Sequence, residues 1–331
     1  MDELSKDGDL EEHPTPPVDS NPRFMGAGPE RSFPQFMQGV FVGPEGVRWI
    51  WRLLVYLGIR EILYLLLGSA LFYADQADIF YLWVNLLAEL VLLLAAILPA
   101  FALAPLEGRR FSDFGLPWRS PVGKLFGMGA AWGFGAITLL IFALHGAGAL
   151  DIGRLALHGS RIFRFAAFWG MYFLIVGFAE EFYLRGYTQF TLTEGIGFWP
   201  AAVLLSIAFA ILHRDNPGET LAGLTGAGLI GLFFCLTLRR TGTLWFAIGF
   251  HAAWDWGESY VYSVPDSGTI APGHLLKTSL HGGAWLTGGT AGPEGSVMLF
   301  VLILALWIVF DRTHREINYP RLTQVEPGSA V

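Results

Sequence analysis

Apolar residues fall into eight runs separated by short polar breaks, at residues 48–73, 79–104, 124–146, 163–184, 198–213, 220–238, 242–258 and 295–311. A helix needs about 20 apolar residues to cross about 30 Å of hydrocarbon. The runs are therefore read as spans of an all-α, polytopic transmembrane helical bundle. The fifth to seventh runs are short and need polar ends or companion helices to be covered. Residues 1–47 are acidic, rich in proline and without apolar periodicity, and read as a disordered cytoplasmic tail. The membrane domain is expected over 48–312, and 313–331 as a short cytoplasmic C-terminal tail. No basic stretch leading into an apolar run opens the chain. No cleavable signal peptide is expected, and insertion is assigned to the first span. The internal repeat common in transporters is not evident.

Composition strengthens the membrane reading. Of 331 residues, 53% are hydrophobic and 15% charged, against about a quarter charged in soluble domains. The net charge of −7 owes part of its size to the tail and argues against nucleic acid as a partner. The single cysteine, Cys235, lies in an apolar run, which excludes an intramolecular disulfide and suits a small reduced hydrophobe.

Basic residues set the expected orientation. Arg109, Arg110, Arg119 and Lys124 lie between spans two and three, Arg239 and Arg240 follow span six, and Arg312, Arg315 and Arg321 follow span eight. The Asp75-Gln76-Ala77-Asp78 connection has none. Both termini are thus expected on the cytoplasmic side of the cytoplasmic (inner) membrane, with Arg154, Arg161 and Arg164 running counter to the rule.

Ionisable groups at bilayer depth cost a few kcal/mol and mark functional positions. Run four ends in Glu180-Glu181-Phe182-Tyr183-Leu184-Arg185, run five in Phe209-Ala210-Ile211-Leu212-His213, and run seven carries His251-Ala252-Ala253-Trp254-Asp255. At 100° per residue, Glu181 and Arg185 share one helix face in the favourable acid-before-base order. Glu180 is rotated away from them and left to face a cavity. His251 and Asp255, also four apart, point the same way, and His213 comes from a third helix. Two imidazoles and two carboxylates from three helices make the layout of a hydrolytic site, with a base to activate water and a donor for an oxyanion. Phe209 reads as packing. His145, His158, His274 and His281 fall in or near loops and carry no assigned role. Arg52, Arg60, Glu61, Asn85 and Glu89 form a second polar set in spans one and two. There Arg52 is expected to snorkel, and Arg60 to pair with Glu61 or Glu89.

The ordered motifs Glu180-Glu181-xxx-Arg185, Phe209-xxx-His213 and His251-xxx-Asp255 resemble those of the CAAX-protease and bacteriocin-processing (CPBP, Abi-like) family of intramembrane endopeptidases, which includes the type II CAAX prenyl endopeptidases. The similarity runs over about 163–260 and extends to Asp215-Asn216-Pro217-Gly218-Glu219 and to the glycine-rich segment 288–295. The resemblance implies an active-site cavity between spans four to seven, with Glu180 as the water-activating base assisted by His213. His251 and the residue four further on would form the oxyanion site. Membrane-protein or lipidated peptide substrates and the lipid bilayer follow as partners. That last position is often Asn in the family and is Asp255 here. An ionised Asp cannot donate a hydrogen bond, so Asp255 is protonated, orients His251 or ligates a metal. A glutamate-type mechanism requires no cofactor. A divalent metal such as Zn held by Glu180, His213, His251 and Asp255 is the rival, although the H-E-x-x-H helix is absent. Outside proteolysis, the same polar cluster suits a proton-coupled transporter or a non-catalytic membrane-protein binder.

Overall fold

The computed structural model describes residues 39–44, 46–75, 81–118 and 122–320. The expected N-terminal tail as far as residue 38, the 76–80 connection, Arg119 and the C-terminal residues 321–331 lie outside the described residues. Eight principal helices coincide with the eight apolar runs: α1 (Trp49–Asp75), α2 (Tyr81–Leu106), α3 (Val122–Gly146), α4 (Ser160–Tyr183), α6 (Phe198–Leu212), α7 (Leu221–Thr241), α8 (Trp245–Asp255) and α10 (Val297–Thr313). Between them lie α5 (Gln189–Ile196) and the short α9 (Ala284–Thr287). Two antiparallel strand pairs, β1 (Val42–Gly43) with β2 (Gly46–Val47) and β3 (Leu150–Asp151) with β4 (Ser279–Leu280), tie loops together. Four helical stretches, Leu82–Leu106, Gly123–Gly146, Ser160–Ile196 and Leu221–Thr241, are long and apolar enough to cross a membrane. The protein is a helical membrane bundle.

The fourth run does not end where its apolar character fades. A π-helical segment, Leu184–Thr188, carries α4 into α5, so that helix continues for 37 residues to Ile196, with a kink at Gly186. The continuation holds the polar residues Thr188, Gln189 and Thr191, all buried in protein, which is why hydropathy alone stops short of it. The seventh run starts three residues later than expected, because Gly242 (φ 72°) closes α7 in a left-handed cap. It then extends through a second π segment, Trp256–Tyr262. Both π segments follow directly on the polar motifs, where such bulges re-aim side chains.

The short α8 sits in the middle of the bundle, backbone to backbone with α3. A Cβ on Gly129, Gly133 or Gly249 would meet the carbonyl oxygen of Phe246, Phe250 or Phe126 at 2.0, 2.1 or 2.2 Å. These small residues allow the close approach that holds membrane helices together by packing. At one end of the bundle Arg52 pairs with Glu107 (2.9 Å) and with Glu194, which also takes Arg109, and Arg240 meets Asp311 at 2.5 Å. Arg52 is thus held by carboxylates rather than left to snorkel. Arg60 pairs with Glu61 and lies over the Tyr183 ring at 3.9 Å. At the other end the β3–β4 pairing and a hydrogen bond from Thr290 Oγ1 to the Gly218 carbonyl (2.9 Å) join the loops into a roof.

Candidate active site

A cavity of about 500 Å³ lies under that roof. Its wall includes Glu180 from α4, Phe209 and His213 from the end of α6, and His251 and Asp255 from α8. The α7 helix, span six, also contributes as expected, and α2 adds to the wall, so the cavity reaches beyond the expected spans four to seven. Glu89 and Asn85 of α2 stand in the wall, and Tyr172 donates to Glu89 at 3.3 Å. Arg60 therefore has Glu61 as its carboxylate partner, while Glu89 belongs to the cavity. A smaller cavity of about 220 Å³ shares Glu180, Phe209, His213 and Asn216 and reaches Arg60 and Leu92.

The helix-face geometry expected from spacing is present. Arg185 Nη1 donates to Glu181 Oε1 at 3.1 Å, and both residues are fully buried. The Arg185 guanidinium lies 4.4 Å from the Phe209 ring centroid, a stack that suits a delocalised cation. Gly231 leaves the room for it, since a Cβ there would come within 2.4 Å of Arg185 Nη2. Glu180 faces the cavity, with its Oε2 buried and without a hydrogen-bond partner among the described residues.

His251 joins the motifs together. Its Nδ1 lies 3.1 Å from the Glu181 oxygen that accepts from Arg185. On the other edge, Nε2 is 3.5 Å from Asp255 Oδ2 and 3.7 Å from Glu180 Oε2. The ring stacks on Phe234 at 5.7 Å between centroids. Gly177 of α4 leaves space for this approach, because a Cβ there would sit 3.3 Å from His251 Cβ. His213, the C-cap of α6, engages its own helix through Nδ1 and the Phe209 carbonyl (2.8 Å). Its Nε2 is not engaged in that contact, and the Phe209 ring packs on the imidazole edge to face at 4.5 Å.

Spacing did not reveal that Glu181 bridges Arg185 and His251, since that contact joins residues 70 apart. It also missed Glu258, Asp266 and Glu294. Among the described residues, these three form the one group of His, Cys, Asp or Glu whose ligating atoms all lie within 4.8 Å of one another. Glu180, His213, His251 and Asp255 do not converge as such a group, so no step through a metal is derived at that set. A signal for Glu258 existed, because it lies three residues beyond Asp255 on the same helical face.

No curated protein matches the chain. Residues 162–257, the segment that carries Glu180, Glu181, Arg185, Phe209, His213, His251 and Asp255, match the family described as Rce1-like, Type II CAAX prenyl endopeptidase Rce1-like, so this segment is similar to that of CAAX-type membrane proteases.

Proposed function

We propose that the protein is an intramembrane endopeptidase in which Glu180 activates the attacking water. The observation that carries this reading is the unpaired, buried Oε2 of Glu180, 3.7 Å from His251 Nε2 at the wall of a 500 Å³ cavity. A carboxylate oxygen without a hydrogen-bond donor from the described residues is free to take a proton from water, and His213 at the same wall steadies that water. As the water oxygen bonds the scissile carbonyl carbon, its proton passes to Glu180 and the carbonyl electron pair moves onto oxygen. Collapse of the tetrahedral species re-forms the carbonyl, breaks the C–N bond and sends the Glu180 proton to the departing amine.

His251 holds the oxyanion in this scheme. With Nδ1 committed to Glu181, Nε2 donates only when the ring is imidazolium. Glu181 and Asp255 flank the ring on opposite edges and balance that charge. Asp255 accepts the Nε2 proton's hydrogen bond until a substrate oxygen replaces it. It therefore serves by orienting His251 and needs no proton of its own. Arg185 fixes Glu181, and Glu181 fixes the imidazole, so the oxyanion donor is held before substrate arrives.

Substrates are membrane proteins or lipidated peptides. Trp169, Tyr172, Phe173 and Val176 give the cavity an apolar wall, and the second cavity opens Glu180 toward the α1–α2 side. The arginine-rich end lies in the cytoplasm and the roof faces the opposite side, in the inner membrane. Comparing protein N-termini in membranes from cells that express the wild type or Glu180→Ala at equal levels tests the reading. Termini unique to the wild type are expected, and identical sets would remove the protease assignment.

A further inference from the structure

We propose that the protein binds one hard divalent cation, calcium in preference to magnesium, between Glu258, Asp266 and Glu294 in the roof over the cavity. This site is separate from the four residues assigned to hydrolysis, and it stands or falls independently of the protease reading.

Glu258 carries the inference. It lies in the π segment after α8 with no exposed surface, and both of its carboxylate oxygens are without hydrogen-bond partners among the described residues. The Trp254 indole lies beside it without completing a hydrogen bond. A fully buried carboxylate left unpaired is costly in any protein. One of its oxygens nevertheless lies within 4.8 Å of oxygens of both Asp266 and Glu294. Two oxygens on one calcium ion, each at about 2.3–2.6 Å, stand no further apart than about 5 Å. The three carboxylates thus fit around a single ion.

The three acids have no Lys or Arg partner among the described residues. Asp266 accepts from the Ser259 hydroxyl at 2.7 Å. Glu294 accepts from the Ser267 backbone N–H at 3.3 Å and the Ser267 hydroxyl at 3.1 Å. These are neutral donors. Asp266 lies in a loop outside the spans. An all-oxygen donor set selects hard cations. Calcium tolerates an irregular set contributed by a helix end and two loops, whereas magnesium demands near-octahedral geometry and retains its waters.

A bound ion would tie the roof to α8. Asp266 and Glu294 come from the connection between α8 and α10, and Glu258 continues the helix that carries His251 and Asp255. Asp266, Ser267 and Glu294 also line the cavity, so the ion would fix the roof's position over the site.

The test uses the full chain, purified in detergent and stripped with a chelator. Calorimetric titration with calcium chloride and then magnesium chloride is paired with thermal unfolding under both conditions. The expected result is one calcium per chain, a raised Tm with calcium and weaker binding of magnesium. Glu258→Gln and, independently, the more accessible Glu294→Gln should each weaken calcium binding by about tenfold or more. Asp215→Asn, an exposed acid nearby, should leave it unchanged. Glu258→Gln should also unfold at a higher temperature than wild type in chelator and lose that advantage in calcium, which separates a lost ligand from a misfolded protein. No calcium binding by the wild type, or binding unaffected by both variants, overturns the proposal. Preference for magnesium overturns its assignment to calcium.

Discussion

Glu181 and Glu258 are both fully buried acids in the same bundle, yet their surroundings are opposite. One oxygen of Glu181 takes hydrogen bonds from Arg185 and His251, with a π stack on Phe209 behind the arginine. Among the described residues Glu258 has neither oxygen hydrogen-bonded, and it faces two further carboxylates. A charge in low dielectric persists when an opposite charge and oriented donors accompany it, and otherwise it needs a proton or a metal ion. The Glu181–Arg185–His251 cluster thus meets its buried carboxylate with opposite charge from the chain, whereas the roof acids meet one another. The first is preorganised chemistry, whereas the second is completed from outside.

The largest expected effect belongs to the base. Glu180→Gln keeps size but replaces one carboxylate oxygen with an amide that cannot accept the water proton, so cleavage should fall by about 10² to 10⁴-fold at unchanged Tm. A loss of activity accompanied by unfolding would assign Glu180 to structure instead. Next comes the balanced pair. Arg185→Met strands Glu181 without its guanidinium and should cost about 3–5 kcal/mol in unfolding measurements. Adding Glu181→Gln to that variant should recover part of the loss, and a double variant no more stable than the single would break the claimed coupling. Gly231→Ala should cost less, about 1–3 kcal/mol, because its methyl meets Arg185 Nη2 at 2.4 Å. The smallest change falls in the roof, with the opposite sign. In chelator, Glu258→Gln should raise Tm by about 2–4 °C, and a lowered Tm there would mean that this carboxylate is already satisfied.

The eight helices were legible because apolar runs set off by polar breaks are a composition signal even where, as in the fifth to seventh, they are short, and the relative faces of Glu180, Glu181 and Arg185 followed from helical rotation alone. His251 and Asp255 were legible for the same reason, lying one turn apart. The bridge from Glu181 to His251 was not, since it depends on how closely α4 and α8 approach at Gly177. The continuation of α4 into α5 escaped because Thr188, Gln189 and Thr191 are polar yet buried in protein, which breaks the link between hydropathy and helix length. Of the two expected partners for Arg60, Glu61 takes the pairing, and tertiary packing alone turns Glu89 toward the cavity. The roof has no period to read. Its glycine-rich segment was visible, but the meeting of Glu294 with Asp266 and Glu258 was not.

The account rests most directly on Glu180 acting as a base in proteolysis. Wild type and Glu180→Gln, purified and reconstituted in proteoliposomes with a membrane protein whose cleavage depends on the wild type in cells, should be compared for appearance of the same new terminus. The account predicts that terminus with wild type and its loss by at least about 10²-fold in the equally stable variant. Equal cleavage by both proteins would contradict it.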